Sequence, residues 1–260
     1  MLRRLAAACV LVVFGTQVFS GEALQRVGSQ YFDKGFAALA SFDGQLYLVA
    51  GEKLQRIDAK TGAAQRVGKS YFDKGPAALA VHDGALYLFG NQKLYRVDVK
   101  TGAMERVGKF YCDKGAVALA SHDGALYLFG NEKLHRVDAK TGELTRVGKF
   151  YCDKGPAALV SHDGALYLFG NEKFHRVDAK TGALTRIGKF YCDKGPAALA
   201  SHGGALYLLG SEKLQRVDVA AGTVQRVGKL YLDKGRVALG AHDGILYVLG
   251  KERLYRLSSP

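Results

Sequence analysis

The sequence predicts an all-β protein in which small antiparallel sheets close into a ring, and three observations lead to this prediction. A unit of 40 residues recurs six times along the chain. Each unit contains short apolar runs separated by turn segments, and the two ends of the chain are complementary fragments of one unit. A repeat of this kind indicates units that bury their apolar faces against each other.

Residues 1–20 precede the repeats and have the pattern of a secretory signal. Arg3 and Arg4 provide a short basic start, and an uncharged apolar run follows as far as Phe14. This run is shorter than the about 20 apolar residues that a transmembrane helix needs. We therefore expect cleavage after Ser20, a secreted or periplasmic location, and no transmembrane segment in the mature chain.

The mature chain is predicted to form one domain, residues 21–260. Its length is 260 − 20 = 240 residues, which is six units of 40 with no remainder. An alternative signal would end with lipidation of Cys9. Only four residues of the apolar run precede this cysteine, whereas an export signal needs about 7–15, so this alternative is disfavoured.

The chain is basic, and its charge is spread over all units. The formal net charge of the full chain is +13, and loss of Arg3 and Arg4 with the signal leaves 13 − 2 = 11 positive charges. Such a surface attracts anions, but lysine and arginine recur in every unit rather than in one basic groove. We therefore expect a polar or anionic ligand, a glycan or an envelope protein as partner, no nucleic acid, and a monomeric chain.

Two motifs define the repeat. The segment Tyr-x-Asp-Lys-Gly begins at Tyr31, Tyr71, Tyr111, Tyr151, Tyr191 and Tyr231. A Leu-Tyr pair recurs with the same period at Leu46, Leu86, Leu126, Leu166, Leu206 and Leu246. Because the period is constant, we expect every unit to fold in the same way.

Within the third unit, four runs predict four short strands: Val117–Ala120, Ala125–Phe129, Lys133–Asp138 and Glu143–Val147. Asp-Gly, Gly-Asn and Lys-Thr-Gly segments separate these runs and predict tight turns between antiparallel neighbours. The second strand is apolar on both faces, so both of its faces must be covered.

A ring of such sheets covers both faces of every sheet, because each sheet packs against two neighbours. The predicted blades are residues 36–68, 76–108, 116–148, 156–188, 196–228, and a composite of 236–257 with 23–28. In the composite blade, the N-terminal strand Ala23–Val27 would pair with the C-terminal strand Arg253–Leu257 and leave no free edge. The predicted fold is a six-bladed β-propeller with four antiparallel strands per blade. A solenoid of parallel coils is disfavoured, because the Asp-Gly hairpins make neighbouring strands antiparallel.

Two parts of the unit resemble known propeller repeats. The stretch Leu134–Gly142 resembles the repeat of bacterial quinoprotein-type propellers, and Gly155–Leu159 with Asp163–Tyr167 resembles the repeats of NHL-type and related exported propellers. The resemblance extends over all six units and implies the architecture, whereas these families include enzymes, sensors and scaffolds. Quinoprotein repeats usually carry tryptophan and this chain has none, so no quinone cofactor is expected and no catalytic residue is carried over.

The loop between blades is the candidate binding site, because its Tyr, Asp and Lys are identical in all six units. The candidate residues are Tyr31, Asp33, Lys34, Tyr71, Asp73, Lys74, Tyr111, Asp113, Lys114, Tyr151, Asp153, Lys154, Tyr191, Asp193, Lys194, Tyr231, Asp233 and Lys234. On one face of the ring they would present an aromatic surface, an acceptor and a cation to a polar ligand. The alternative is a structural loop, in which Asp caps backbone amides or pairs with Arg106 or Arg136 and Gly115 provides a backbone conformation that other residues avoid.

The cysteines of the loops are interpreted as packing residues. Cys112, Cys152 and Cys192 occupy one position in three consecutive units, and other units have Phe32, Phe72 and Leu232 there. This exchange predicts a partly buried hydrophobe. A metal site formed by the three thiols with His135 and His175 is disfavoured, because no close-spaced ligand pair exists.

The histidines before the Asp-Gly turns are also interpreted as packing residues. They are His82, His122, His162, His202 and His242. Phe42 replaces them in the first unit. This exchange favours packing over acid–base chemistry.

The expected function is non-catalytic: a multivalent, lectin-like binding propeller or a scaffold, with no metal and no cofactor. An enzyme would need one blade to present a nucleophile, a base or a metal ligand that its siblings lack. Gly203, Ser211 and Arg236 depart from the repeat, but no matching partner accompanies them. The alternative is a hydrolase or lactonase with a single axial site. One asymmetric axial pocket would favour this enzyme, and six equivalent sites would favour the binding protein.

Overall fold

The structure, a computed structural model, describes residues 23–32, 36–73, 75–152, 155–189, 196–232 and 236–258. Within these residues, twenty-four strands form six four-stranded antiparallel sheets, which confirms the six-bladed β-propeller. No helix in this part of the chain has the length and apolar character needed to cross a membrane. The predicted signal, residues 1–20, lies outside the described residues.

Each blade contains an inner, a second, a third and an outer strand. The inner strands are β2 (Ala38–Phe42), β6 (Ala78–His82), β10 (Ala118–His122), β14 (Ala158–His162), β18 (Ala198–His202) and β22 (Ala238–His242). The second strands are β3 (Gln45–Ala50), β7 (Ala85–Gly90), β11 (Ala125–Gly130), β15 (Ala165–Gly170), β19 (Ala205–Gly210) and β23 (Ile245–Gly250). The third strands are β4 (Lys53–Ile57), β8 (Lys93–Val97), β12 (Lys133–Val137), β16 (Lys173–Val177), β20 (Lys213–Asp218) and β24 (Arg253–Ser258). The outer strands are β5 (Ala64–Arg66), β9 (Met104–Val107), β13 (Leu144–Arg146), β17 (Leu184–Arg186), β21 (Thr223–Arg226) and, for the sixth blade, β1 (Ala23–Arg26).

Two-residue turns join the first three strands of each blade. In the third blade, Asp123 (φ +47°) and Gly124 (φ +65°) form the first turn, and Asn131 (φ +50°) and Glu132 (φ +64°) form the second. Positive φ at both positions is the type I′ geometry that matches the twist of a hairpin. The second turn is thus one residue later than predicted, because Gly130 still pairs within the sheet.

The third turn is built around an aspartate. Asp138 Oδ1 accepts the N–H groups of Lys140 and Thr141, both at 2.8 Å. These two bonds hold the pKa of the Asp138 carboxyl below its usual value. Because Asp138 belongs to the turn, β12 ends at Val137, one residue earlier than predicted.

The hydrophobic core is a ring of six clusters, one at each junction between blades. Between the second and third blades, Phe89 and Leu94 pack with Leu126 and Leu128. The other five junctions have equivalent clusters. The second strand β11 is buried along its whole length, as its two apolar faces predict.

The two ends of the chain complete the sixth blade. Strand β1 pairs with β24, and Leu24 lies opposite Leu257. The Val27 N–H continues the pairing by donating to the Leu254 carbonyl at 2.8 Å. The inner strand of this blade, β22, contacts β2 of the first blade. The predicted closure of the ring is therefore confirmed.

The inner strands surround the axis, and the turns divide between two faces. The loops between blades and the second turns lie on one face, which we name the loop face. The Asp-Gly turns lie on the opposite face, which we name the hairpin face. This division follows from the alternation of strand direction in an antiparallel sheet.

Candidate functional site

The loop that precedes the third blade bridges two turns of the loop face. The Cys112 N–H donates to the carbonyl of Gln92 in the second blade at 3.1 Å. Asn131 Nδ2 of the third blade donates to the carbonyl of Tyr111 at 2.9 Å. Equivalent bonds link Phe72 to Glu52, Asn91 to Tyr71, Cys152 to Glu132 and Asn171 to Tyr151. The loop backbone is therefore held by two adjacent blades.

Asn131, and not the aspartate of the loop, caps the loop amides. Its Oδ1 accepts the N–H groups of Asp113 at 3.1 Å and Lys114 at 3.2 Å. Within the described residues, the Asp113 carboxylate forms neither the predicted cap nor an ion pair with Arg106 or Arg136. The side chains of Asp113 and Lys114 are exposed. They are available to solvent or to a ligand.

Cys112 is a buried hydrophobe, as predicted. Its side chain is 1% exposed, and it covers the end of β11 so closely that a Cβ at Gly130 would lie 2.7 Å from Sγ. Burial, with a smaller contribution from Asp113, raises the pKa of the Cys112 thiol to about 11. Cys152 is buried in the same position of the next blade, and Cys192 lies outside the described residues. In the part of the chain that the structure describes, no group of three His, Cys, Asp or Glu is arranged to hold a metal.

Two cations of the preceding blade flank Tyr111, whose side chain is 51% exposed. Arg106 Cζ lies 4.6 Å from the ring centroid and Lys93 Nζ lies 5.3 Å from it, both within the range of cation–π interactions. Arg106 also donates to the Tyr111 hydroxyl at 3.4 Å and to the Phe110 carbonyl at 3.2 Å. We name this set of loop tyrosine, outer-strand arginine and third-strand lysine the cation–tyrosine cluster.

The cation–tyrosine cluster recurs around the loop face with nearly constant geometry. Complete clusters consist of Lys53, Arg66 and Tyr71; Lys93, Arg106 and Tyr111; Lys133, Arg146 and Tyr151; and Lys213, Arg226 and Tyr231. The distance from arginine Cζ to the ring centroid is 4.2 to 4.6 Å. The distance from lysine Nζ is 5.2 to 5.5 Å. Tyr31 is the remaining loop tyrosine among the described residues, and there Arg253 takes the place of the lysine.

The structure describes part of the predicted site. The described candidates are Tyr31, Tyr71, Asp73, Tyr111, Asp113, Lys114, Tyr151 and Tyr231. The candidates outside the described residues are Asp33, Lys34, Lys74, Asp153, Lys154, Tyr191, Asp193, Lys194, Asp233 and Lys234. The described tyrosines meet strand arginines and lysines that sequence reasoning did not include. An Arg-x-x-x-x-Tyr spacing, present in all six units, is the signal that could have found the arginines.

On the hairpin face, histidines bond to serines of the next blade, an arrangement that we name the histidine–serine latch. His122 Nδ1 lies 2.9 Å from Ser161 Oγ. The other latches join His82 to Ser121, His162 to Ser201 and His242 to Ser41. In the first unit, Phe42 replaces the histidine and Val81 replaces its serine partner, and both pack at the same junction. The predicted packing role is confirmed, with a hydrogen bond added to it.

An aspartate beside each of three latches makes them resemble a Ser-His-Asp set. His82 Nε2, for example, lies 3.5 Å from the Asp83 carboxylate. His82 is only 6% exposed, and the equivalent His162 and Asp163 line a groove between the fourth and fifth blades. The other two sets have the same geometry and equally buried histidines. These groups hold neighbouring inner strands together.

The axial channel is lined by the same residue types from every blade. Each blade contributes an Ala or Val, then an Ala and a Leu, such as Ala37, Ala38 and Leu39 in the first blade. The channel has a volume of about 150 Å³. Larger grooves of about 400 to 550 Å³ lie between adjacent blades and include Asp-Gly turn residues such as Asp43. The concave surfaces therefore follow the repeat.

The sheet topology defines this protein as a six-bladed β-propeller. The chain belongs to the family described as a repeat of unknown function, DUF6923, which matches residues 16–150, slightly more than half of the chain. No curated protein matches the sequence.

Solved propellers resemble the chain in fold. A streptogramin B lyase is 14% identical and has a TM-score of 0.65, with 94% of this chain and 100% of the lyase covered. A gluconolactonase from Xanthomonas campestris is 14% identical with a TM-score of 0.65, covering 92% of this chain and 95% of that one. An auxiliary nutrient binding protein from Bacteroides thetaiotaomicron is 13% identical with a TM-score of 0.65, covering 91% and 76%. At this identity the likeness extends to the fold alone.

Proposed function

We propose that the chain is an exported, non-catalytic binding propeller that holds a polymer on its loop face. The observation that carries the proposal is the recurrence of the cation–tyrosine cluster with nearly constant geometry at four described junctions. A repeated surface offers the same contact several times, whereas an enzyme concentrates its chemistry in one site. A polymer with repeated polar groups is the ligand that can use such a surface.

Repetition converts weak contacts into firm attachment. If one cluster binds a ligand group in the millimolar range, simultaneous binding at several clusters increases avidity by ~10²–10⁴ when the spacing of the polymer matches the ring. Long polymers then bind strongly and short fragments bind weakly. This difference between polymer and fragment is the expected property of the protein.

Catalysis is the alternative, because the solved neighbours include a lyase and a gluconolactonase. Another neighbour is a nutrient binding protein. In this chain the axial channel is lined by Ala, Val and Leu from every blade, and side chains of these types supply neither a nucleophile nor a base nor a metal ligand. The lining therefore supports binding over catalysis at the axis.

Export is part of the proposal and depends on the signal pattern of residues 1–20. The chain would be secreted or periplasmic after cleavage between Ser20 and Gly21. Intact mass spectrometry of the protein recovered from a Gram-negative host should give the mass of residues 21–260. A chain that retains Met1 or carries lipid on Cys9 would contradict this assignment.

The binding proposal is tested by changing Tyr71, Tyr111 and Tyr151 to Ala together and measuring retention on immobilised polysaccharides. We expect polymer affinity to fall at least ~10-fold, because half of the equivalent sites are lost, and oligosaccharide affinity at the remaining clusters to stay unchanged. A matched control changes Asp43, Asp83 and Asp123 to Asn in the turns of the hairpin face, where Asn tolerates the positive φ.

The control variant should bind polymer like the unaltered protein. Unaltered polymer binding by the tyrosine variant would place the site elsewhere. Saturation at one ligand per chain, blocked by enlarging an axial residue such as Ala118, would favour the enzyme.

A further inference from the structure

We infer that the polymer held by the cation–tyrosine clusters is an acidic polysaccharide, recognised through its carboxylate groups. This inference depends on the proposed function, since it names the ligand class of the same clusters. Four features carry it: the unpaired charge of the clusters, the cations over the tyrosine rings, the free donors of the arginines, and the retention of charge at the closing junction.

The cations of the clusters have no carboxylate partner within the described residues. In the cluster of Tyr111, every member and its loop are described, and neither Arg106 nor Lys93 forms an ion pair. Asp113 lies in the same loop but does not neutralise them. The cluster therefore offers two adjacent positive charges to an anion.

The protein's own cations lie over the tyrosine rings, which are still about half exposed. The Arg106 guanidinium lies 4.6 Å above the Tyr111 ring and also bonds to its hydroxyl. A neutral sugar that stacked on this face would have to displace the guanidinium and lose both interactions. A sugar that stacks on the Tyr111 ring, as the sequence analysis expects, therefore competes with the guanidinium for that face, although the tyrosine is still 51% exposed. The guanidinium is the charged group that meets the ligand.

The arginine is held in place and keeps donors for a ligand. Of the five N–H groups of a guanidinium, Arg106 uses two within the described residues, for the Tyr111 hydroxyl and the Phe110 carbonyl. The remaining donors suit the planar, two-oxygen geometry of a carboxylate. Because the side chain is already ordered, binding loses little further conformational entropy.

The cluster at the junction between the sixth and first blades is also positively charged, although an arginine replaces the lysine of the other blades. Arg253 stands where the other blades have lysine, and it covers Tyr31. Desolvation and the nearby charge of Arg26 lower the pKa of Arg253, so a second cation lies close to it. At the neighbouring third-strand position, the residue drifts from Gln55 to Tyr95 and His135. The position of Arg253, by contrast, carries a lysine or an arginine in all six units.

Nucleic acid is the other polyanion that this charge would attract. Proteins that bind single strands combine a basic groove with aromatic faces on which bases stack. Here a guanidinium lies over the ring in each complete cluster, where it competes with a stacking base for one face. A polymer whose charge lies on carboxylates, without bases, fits this surface better.

The test compares polygalacturonate with its fully methyl-esterified form, which has the same backbone without the charge. Isothermal titration calorimetry should give an affinity at least ~10-fold higher for the acidic form, falling as salt rises because exposed charges are screened. Changing Arg66, Arg106 and Arg146 to Gln should reduce the affinity for polygalacturonate at least ~10-fold.

The matched control changes Arg56, Arg96 and Arg136 to Gln. These arginines lie on the third strands, opposite the residues that precede the cluster arginines, and so point to the other sheet face. The control removes the same charge and should change affinity less than ~3-fold. If the first variant is unstable, a second variant changes Lys53, Lys93 and Lys133 to Gln. It removes cluster charge but keeps the bonds of the arginines to the loop, and affinity for polygalacturonate should again fall.

Each contrary result separates this inference from the proposed function. If both polymer forms bound equally and the tyrosine variant lost this binding, recognition of carboxylates would be wrong, but the proposed polymer site on the loop face would stand. Equal losses in the two arginine variants would reduce the effect to general charge and overturn the inference. Tighter binding of single-stranded DNA of equal charge would make the ligand a nucleic acid. Absence of polygalacturonate binding would also overturn the inference.

Discussion

At the scale of single residues, one third-strand position shows how the repeat adapts its chemistry. Gln55 donates from Nε2 to the Ala50 carbonyl at 2.8 Å, whereas His135 and His175 at the same position have a buried Nδ1 with no hydrogen-bond partner within the described residues. A buried polar atom without a partner weakens the fold. The histidines also make the fold sensitive to acid.

We predict that His135→Gln with His175→Gln protects the protein against acid. Burial first, and then Lys133 and Arg146, lower the pKa of His135, and burial has the same leading effect at His175. Below about pH 6.5 the unfolded chain takes up protons before the folded one. Stability is therefore complete above this pH and is lost as the pH falls towards the folded-state pKa.

Thermal melting measured between pH 7.5 and 5 checks this prediction, because this range spans the ordinary histidine pKa of about 6.5. The unaltered protein should lose more melting temperature over this range than the double variant. A control variant, His82→Gln, changes a latch histidine instead. Identical pH profiles for the unaltered protein and the double variant would contradict the argument.

At the scale of strands and turns, adjacent blades touch through their backbones. Gly108, after β9, meets Gly142 in the third turn of the next blade, and a Cβ at Gly108 would lie 2.7 Å from the Gly142 carbonyl oxygen. Both glycines have positive φ, +71° and +74°. The close approach requires glycine on steric as well as conformational grounds.

We predict that Gly108→Ala destabilises the protein more than Gly124→Ala. A left-handed conformation costs an alanine ~1–2 kcal/mol at either position. Gly124 has φ +65° but nothing within 4 Å of its Cβ position, so it reports the conformational cost alone. The steric contact at Gly108 should add at least ~1 kcal/mol. Urea unfolding measures both, and equal midpoints would show that the blades can separate at this point without cost.

The latch between inner strands can be exchanged for the apolar pair that the chain itself uses. His122→Phe or Ser161→Val alone should cost ~1–3 kcal/mol, because one polar partner is left unpaired. The double variant recreates the pair of Phe42 with Val81 and should lie within ~1 kcal/mol of the unaltered protein. A double-mutant cycle by urea unfolding should give a coupling energy of ~0.5–3 kcal/mol. If the free-energy costs of the two single variants were strictly additive, the latch would contribute no coupling energy to the stability of the junction.

At the scale of the whole molecule, stability depends on closing the ring. The six clusters lie between blades and not within them, so each blade needs two neighbours to bury its faces. Pairing of β1 with β24 completes the sixth blade at the last junction. The outer strand of one blade therefore supports the whole ring.

Deleting residues 21–28 should lower the melting temperature by at least ~5 °C, because it removes the cluster contacts of Leu24 and the buried Val27. The exposed edge of β24 should also promote association, which size-exclusion chromatography detects. Excess synthetic peptide of residues 21–28 should restore the melting temperature by mass action. A truncated protein that melts like the full one and stays monomeric would contradict closure as the source of stability.

The sequence by itself determined the number of blades, the strands and the closure, because each of these depends on local patterns repeated with one period. At Asp138 and at Gly130, a strand end differs from the prediction by one residue. Asp138 accepts a turn N–H and lies outside its strand, whereas Gly130 still pairs within the sheet. Burial of the loop cysteine was also predictable, because Phe and Leu replace it in other units.

Only the tertiary structure decided what surrounds the candidate tyrosines and histidines. Arg106 and Lys93 reach Tyr111 from two different strands, and Ser161 reaches His122 from the next blade. The serine partner is set by the angle between blades, which no local pattern encodes. The Arg-x-x-x-x-Tyr spacing marks the arginine in the sequence, but only the structure places its guanidinium over the ring. For the same reason the tyrosine that the repeat offered as a stacking surface became the support of a guanidinium.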